Sequence, residues 1–141
     1  MRLTSFTDFG LRALMRMAAE PGRVHSTADI ADEFGISRNH LAKAVGTLAG
    51  AGIVTTRRGT GGGAMLAQPA EELRLGDIVA VLERGSALVE CFEQSGGSCS
   101  ITASCRLKHF LNGARQTFIA HLTQNTLADC ATSVPEVFGD V

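Results

Sequence analysis

The amino-acid sequence predicts a mainly α-helical α+β protein: a winged helix-turn-helix followed by a long C-terminal dimerisation helix. Three observations predict this fold. Two short amphipathic segments flank Gly35, two short strand-like runs flank the glycine-rich stretch 59–63, and a long apolar periodicity begins at Arg106. We expect residues 1–69 to form the winged helix-turn-helix and residues 70–141 to hold a cysteine loop and the dimerisation helices.

The first helix is expected to begin at Ser5. Ser5 and Asp8 have the spacing of a capping box, in which each side chain accepts a hydrogen bond from the other residue's backbone N–H. The apolar residues that follow at helical spacing are Leu11, Leu14, Met15 and Ala18. The pair Pro21-Gly22 should end the segment. On this local reasoning Asp8 is a capping residue.

The next two helices have the pattern of a helix-turn-helix. Ser26 or Thr27 should cap the first, Gly35 should break it, and Ser37 should cap the second. The second helix carries a polar face, which any surface helix needs, but its side chains are also suited to phosphates and base edges in a major groove. The residues predicted to bind DNA here are Ser37, Arg38, Asn39, His40 and Lys43.

The runs 53–56 and 64–67 predict two strands around a glycine-rich turn, which together would form a β-hairpin wing. Arg57 and Arg58 at this turn are predicted to contact the DNA backbone or minor groove. The glycines do not have the spacing of a phosphate-binding loop and do not open a helix after a strand.

Composition limits the class of protein. The chain has 141 residues, of which 45% are hydrophobic and 19% charged, so we expect a globular protein of about one domain. No apolar run is long enough to span a membrane and the first residues do not form a secretory signal, so we expect a cytoplasmic protein. Residues 1–69 carry eight Lys or Arg against five Asp or Glu, whereas residues 70–141 carry five against nine. The basic half suggests a polyanionic partner.

Three of the four cysteines lie close together in the sequence. Seven residues separate Cys91 from Cys99 and five separate Cys99 from Cys105, and the first interval includes Gly96-Gly97, which can fold the loop back. Thiolates favour iron–sulfur clusters, zinc or copper(I), and the close cysteine pairs typical of zinc sites are missing. Buried thiols or a disulfide remain alternatives, although cytosolic reduction disfavours the disulfide.

Other cysteine and histidine residues carry weaker signals. Cys130 has apolar neighbours and is more typical of a buried thiol than of a ligand. His109 follows Cys105 by four residues on one helical face, so it is either a metal ligand or an ordinary surface histidine. A Cys105–His109 nucleophile would need an orienting group and an oxyanion hole, neither of which the sequence suggests. We therefore expect no enzyme.

The longest periodic segment runs from Arg106 to about Gln124. Its apolar positions are Leu107, Phe110, Leu111, Ala114, Phe118, Ile119 and Leu122. One small domain leaves little to cover this stripe, so we expect a homodimer with two recognition helices for a two-fold DNA site. Packing against the chain's own first helix is the alternative, and both arrangements are compatible.

Several segments resemble a known family. They are LTSFTDFGLRALMRMA, GISRNHLAKAV, GIVTTRRGTGGGAMLAQP, RLGDIVAVLE, CRLKHFL and TLADC. Together they cover nearly the whole chain and resemble the dimeric winged-helix regulators that bind iron–sulfur clusters, particularly the nitric-oxide-sensing, NsrR-type repressors. The resemblance implies a 4Fe–4S cluster on Cys91, Cys99 and Cys105, with a 2Fe–2S centre as a degradation or alternative form. It also implies Asp8 of the other subunit as fourth ligand, whereas a relative that uses histidine keeps His109 as an alternative.

The resemblance further implies a transcriptional repressor. Nitric oxide would displace the ligands, the dimer would lose the spacing of its recognition helices, and DNA would be released. The interval between Cys91 and Cys99 is longer than usual for that group, and the VECFE context is also similar to iron-responsive repressors of the same family. Iron availability is therefore an alternative signal, and a zinc-stabilised structural winged helix is an alternative from another class.

Overall fold

The computed structural model describes residues 2–131 and has the expected architecture, mainly helical with a two-stranded antiparallel hairpin. The helices and strands, in chain order, are α1 (Ser5–Ala19), α2 (Thr27–Glu33), α3 (Arg38–Gly50), β1 (Val54–Arg57), β2 (Gly63–Leu66), α4 (Leu75–Leu82), α5 (Arg106–Thr123) and α6 (Leu127–Ala131). Three short 3₁₀ turns lie at Ala70–Glu72, Glu90–Phe92 and Thr102–Ser104. Within residues 2–131 no helix combines the length and apolarity needed to cross a bilayer.

One hydrophobic core joins the N-terminal and C-terminal parts of the chain. Its buried side chains include Leu14 and Met17 of α1, Leu41 and Leu48 of α3, Ile78 and Leu82 of α4, and Leu127 of α6. α1 lies at the centre, since it contacts α3, α4 and α6. A displacement of α1 should therefore displace or strain α3, because packed cores respond to small changes in volume and position.

The start of α1 differs from the prediction. Thr4, not Ser5, is the N-cap: its hydroxyl oxygen accepts a hydrogen bond from the Thr7 backbone N–H at 3.2 Å. The predicted capping box of Ser5 and Asp8 is therefore wrong. The Thr4 hydroxyl also donates to Glu83 at 2.9 Å, a tertiary contact that fixes the cap one residue earlier and that local sequence cannot reveal.

The helix-turn-helix forms from short-range signals. Ser26 caps α2 and accepts from the Asp29 N–H at 3.2 Å. Gly35 follows with φ +63°, the left-handed conformation that lets the chain turn sharply after α2. Ile36 is buried in the core and its N–H donates to the Ala31 carbonyl at 2.8 Å. This turn sets the angle at which α3 leaves α2.

The wing forms as predicted, but each of its strands lies one residue closer to the turn than expected. β1 and β2 pair antiparallel from Val54 opposite Leu66 to Arg57 opposite Gly63, so Arg57 belongs to the strand and not to the turn. β2 also pairs with the segment before α2, because the N–H and C=O groups of His25 and Ala64 exchange hydrogen bonds of 2.8 Å. This second pairing anchors the wing to the body of the protein.

The long helix α5 ends one residue before its predicted limit and packs against α4. None of its residues is buried, and Leu107 and Phe110 are 62% and 59% exposed. The short α6 then returns the chain to α1. α5 thus presents an apolar side that the single chain does not cover, as expected for a dimerisation helix.

Candidate cysteine site and nucleic-acid interface

The amino-terminal turn of α3 forms a polar, exposed surface. Ser37 is the N-cap, as predicted, and accepts from the His40 N–H at 3.5 Å. The other side chains predicted to bind DNA here, Arg38, Asn39, His40 and Lys43, are all exposed. Because the opposite face of α3 is held in the core by Leu41, Ala44, Val45 and Leu48, this polar face must point outward.

Arg38 is already engaged by an acidic side chain. Its guanidinium makes two contacts with the Asp32 carboxylate, at 3.0 and 2.5 Å, and both side chains are more than half exposed. The Arg38 hydrogen bonds hold the pKa of Asp32 below its ordinary value. The remaining guanidinium N–H groups are the ones that Arg38 can offer to DNA while this pair persists. An exposed pair of this kind is weak and can be exchanged for a phosphate.

The wing places Arg57 and Arg58 at its outer end, where both are exposed. Gly63, opposite Arg57, has φ +156° and lies close against the His25 backbone; a methyl group there would stand 3.0 Å from the Ser26 nitrogen and nearer still to His25. Any larger residue would therefore push the wing off its anchor. The same hydrophobic core holds both α3 and the hairpin that carries the wing arginines.

His25 is a residue whose importance sequence reasoning missed. It is only 5% exposed, and its Nε2 atom has no hydrogen-bond partner within the described part of the chain. Burial lowers the pKa of His25, and the nearby positive charge of Arg16 lowers it further. An isolated histidine in a short connection gives no pattern in the sequence from which this burial could have been predicted.

The cysteine segment lies on the surface between α4 and α5. Cys91 lies in the 3₁₀ turn Glu90–Phe92 and is half-buried, Cys99 is exposed, and the half-buried Cys105 immediately precedes α5. Gly96 and Gly97 have φ values of +79° and +63°, so they adopt the left-handed conformations expected of them. None of the four cysteines, all of which lie within residues 2–131, forms a disulfide.

A carboxylate closes the loop between the first two cysteines. Glu90 accepts hydrogen bonds from both the backbone N–H and the hydroxyl of Ser98, each at 2.7 Å. Glu90 immediately precedes Cys91, and Ser98 immediately precedes Cys99. The first two predicted ligands, Cys91 and Cys99, therefore each follow one member of this hydrogen-bonded pair.

The candidates for the fourth ligand lie on different helices. Asp8 is in the first turn of α1, and its carboxylate forms an ion pair with Arg12 at 2.9 Å, with the Asp8 side chain 48% exposed. His109 lies exposed on α5, with its ring 6.0 Å from the Phe110 ring centre. Cys130, expected to be a buried thiol and not a ligand, is half-buried on α6, where burial and then the charge of Asp129 raise the pKa of its thiol.

The described residues do not form a complete metal site within one chain. Among residues 2–131 no three His, Cys, Asp or Glu side chains lie close enough together to hold a metal ion. The donor chemistry nevertheless fits an iron–sulfur cluster, since three thiols of one accessible segment provide soft ligands. The Glu90–Ser98 contact joins the residues that immediately precede two of these cysteines, Cys91 and Cys99.

The comparison with known families identifies the class of protein. A model of the Rrf2 family, described as an iron-dependent transcriptional regulator, matches residues 3–133. The chain belongs to the Rrf2 family. It is therefore a transcriptional regulator and not an enzyme. Rrf2 regulators bind DNA and are usually dimeric, in agreement with the polar face of α3 and the uncovered side of α5.

Solved structures of the family share this fold over nearly the whole chain. The oxidised form of Staphylococcus aureus CymR has a TM-score of 0.70 and 28% identity, covering 93% of this chain and 96% of its own. CymR of B. subtilis, described as the global cysteine regulator, has a TM-score of 0.67 and 26% identity, with coverages of 94% and 97%. T. potens IscR has a TM-score of 0.71 and 27% identity, with coverages of 97% and 90%. Because regulators with different descriptions share the fold, the fold alone does not specify the signal.

Proposed function

We propose that this Rrf2 regulator is a homodimeric repressor whose binding to a two-fold operator requires a 4Fe–4S cluster, with nitric oxide as the signal. The observation that carries the proposal is the position of Cys105 at the start of α5, whose Leu107 and Phe110 are exposed. A second copy that covers these side chains would lie against the cysteine segment. Ligands from two chains could then complete a site that residues 2–131 of one chain leave incomplete.

Cys91, Cys99 and Cys105 would supply three thiolates to this cluster. The fourth ligand would be Asp8 of the partner subunit, since Asp8 is half exposed and its carboxylate pairs with the exposed Arg12. His109 is the alternative, on the helix that Cys105 precedes. When bound, such a cluster supplies iron atoms to which nitric oxide binds.

The packing of α1 supports a coupling between this site and DNA. Asp8 pairs with Arg12, and the Arg12 guanidinium lies 6.0 Å above the ring of Phe34, the C-cap of α2. α1 also packs directly against α3. If Asp8 were a ligand of the cluster held by the other subunit, its carboxylate would release Arg12 and α1 would shift, and α3 would move with it. The spacing of two recognition helices would then change.

The DNA contacts would come from α3 and the wing. Ser37, Arg38, Asn39, His40 and Lys43 present donors at the amino-terminal end and exposed face of α3, while Arg57 and Arg58 extend from the hairpin. Base edges would be read in the major groove by the α3 side chains, and the wing arginines would meet phosphates or the minor groove.

An anaerobic absorbance spectrum with iron and sulfide counts, followed by a nitric oxide titration, tests the proposal. The wild-type protein should be coloured, and its operator binding should fall in parallel with the visible absorbance. Cys99→Ala should lose the colour and specific DNA binding but remain a folded dimer, whereas Cys130→Ala, which alters a thiol outside the segment, should behave as wild type. Nitric-oxide-sensitive binding by Cys99→Ala would contradict the proposal.

The family description as iron-dependent favours a second candidate, in which cluster occupancy reports iron availability. A cluster that is indifferent to nitric oxide but removed by a chelator, with loss of DNA binding, would select it. A colourless protein that contains zinc would instead indicate a structural winged-helix module. Comparing Asp8→Ala with His109→Ala identifies the fourth ligand, because only the true ligand's removal should lower the iron content.

A further inference from the structure

The loop that joins Cys91 to Cys99 is long for two ligands of one metal centre. Seven residues separate them, and an extended chain of that length could hold the two thiols about 25 Å apart. The entropic cost of bringing loop ends together also grows with loop length. An interaction within the protein that closes this loop before metal binds would therefore make assembly of the site easier.

The Glu90 side chain provides such an interaction. One of its oxygens, Oε1, accepts from the Ser98 N–H and from the Ser98 hydroxyl, each at 2.7 Å. Gly97 lies directly against the Glu90 backbone, where a methyl group would be 2.9 Å from the Glu90 carbonyl oxygen. Gly96 donates to the Glu93 carbonyl at 2.9 Å within the same loop. The two hydrogen bonds from Ser98 are accepted by the charged Glu90 carboxylate, and such bonds are stronger than those between neutral groups.

We propose that Glu90 is a positioning residue that holds Cys91 and Cys99 close together before any metal binds. This inference rests on the proposed cysteine site and assigns a role that is separate from ligation. Glu90 and Ser98 each immediately precede a cysteine, so the hydrogen bonds that join them also limit how far apart the backbones of the two cysteines can lie. The resulting closed loop compensates for the long interval.

Variants of Glu90 should remain folded, because no residue from Cys91 to Cys105 is part of the hydrophobic core. Glu90→Ala removes the acceptor, whereas Glu90→Gln keeps a carbonyl oxygen that can accept from Ser98. Glu93→Ala is the matched control, since it removes an exposed carboxylate from the same loop.

The first measurement uses metal-free protein. In a background of Cys105→Ala and Cys130→Ala only Cys91 and Cys99 remain. A glutathione redox buffer oxidises them to an internal disulfide: glutathione disulfide takes up two electrons and two protons and becomes two glutathione molecules. The oxidised fraction reports the effective concentration of one thiol at the other. We expect Glu90→Ala to lower it about three- to tenfold, the size of one ordinary net hydrogen bond, because water competes for the exposed Glu90 carboxylate. Glu90→Gln, which keeps an acceptor but loses the charge, should recover part of this loss, and Glu93→Ala should match the parent.

The second measurement uses the protein with all four cysteines. Anaerobic reconstitution should load iron and sulfide more slowly in Glu90→Ala than in wild type, and a chelator should remove the iron faster. An unchanged effective concentration in metal-free Glu90→Ala would overturn the inference. Failure of the wild-type protein to take up iron would overturn the proposed function. The glutathione measurement on metal-free protein would still test whether Glu90 holds the two cysteines close together.

Discussion

The carboxylate of Glu83 accepts hydrogen bonds from both the backbone N–H and the hydroxyl of Thr4, at 2.8 and 2.9 Å. The Thr7 hydroxyl donates to the same oxygen. One side chain at the end of α4 therefore fixes the first turn of α1, the turn that carries Asp8. Burial alone would raise the pKa of Glu83, but the hydrogen bonds from Thr7 and Thr4 outweigh it and hold the pKa below its ordinary value.

Replacing Glu83 by alanine should lower the free energy of unfolding by about 1–3 kcal/mol, because two hydroxyls and an N–H lose a partly buried acceptor. Urea unfolding at neutral pH measures this effect, with Glu72→Ala as the exposed control. Since the pKa of Glu83 is depressed, its stabilisation is present above the ordinary carboxyl pKa and is lost as pH falls through the lower value. The difference in free energy of unfolding between wild type and Glu83→Ala should therefore become smaller in acid. A difference that does not change with pH would mean that the charge of Glu83 is unimportant for stability.

At Gly76, α4 lies directly against the backbone of α5. A methyl group at this position would lie 2.5 Å from the Ile119 carbonyl oxygen and 2.8 Å from the Thr123 nitrogen. Since both are backbone atoms, they cannot move aside as the end of a flexible side chain can. Gly76→Ala should therefore destabilise the protein by about 1–3 kcal/mol in chemical unfolding, the usual cost of overpacking.

Gly46 provides the control for this substitution. It lies in α3, and a methyl group there would meet nothing within 4 Å. Gly46→Ala should stabilise the protein by about 0.5–1 kcal/mol, because alanine is the better helix former. Equal effects of the two substitutions would show that α5 can move away from α4 without loss.

The features that the sequence predicts correctly depend on short-range signals. Ser37 caps α3 through its own local hydrogen bond, and Gly35 turns the chain because its left-handed conformation suits glycine. The long helix α5 follows from apolar residues recurring over five turns. In each case the physical cause lies within a few residues of the position predicted.

The features that the sequence did not predict depend on partners that are distant in the chain. Thr4 takes the capping role predicted for Ser5 because Glu83, at the end of α4, hydrogen-bonds to it. The burial of His25 requires the wing to pair beside it. The Glu90–Ser98 contact joins residues of the same loop, but only the actual path of that loop brings them together. Helical periodicity carries no information about such contacts.

The buried imidazole of His25 should make stability depend on pH. Because burial lowers the pKa of His25 in the folded protein, the unfolded chain binds a proton first as pH falls below the ordinary histidine value. The side chains that also act on His25 electrostatically are Arg16, Glu20 and Arg23. The free energy of unfolding should therefore decrease as pH falls below about 6.5, down to the lower pKa of the folded state.

Comparing unfolding at about pH 7.5 and about pH 5.5 tests this dependence. His25→Gln removes the titrating group and should be less sensitive to this change of pH than wild type. His121→Gln, which alters an exposed histidine on α5, should keep the wild-type sensitivity. Equal sensitivity of His25→Gln and wild type would assign the pH dependence to other groups.

The ion pair between Asp32 and Arg38 should restrain DNA binding, because it occupies two N–H groups at the start of α3, the proposed recognition helix. Asp32→Asn removes the negative charge and frees the guanidinium for a phosphate. Affinity for DNA should therefore rise, and the dependence of log K on log salt should steepen by about one unit, as one further phosphate contact predicts. Asp77→Asn, which removes an exposed carboxylate from α4, is the control for net charge.

Lys43→Ala should flatten the same salt dependence by about one unit if Lys43 contacts a phosphate. Arg38→Ala should flatten it by less in the wild-type background than in Asp32→Asn, because Asp32 already neutralises Arg38 in the former. Filter binding or fluorescence anisotropy over a range of salt concentrations gives all of these slopes. If Arg38→Ala and Lys43→Ala prove equal in both backgrounds, then DNA displaces Asp32 at no measurable cost. The ion pair would in that case orient α2 against α3 without limiting recognition.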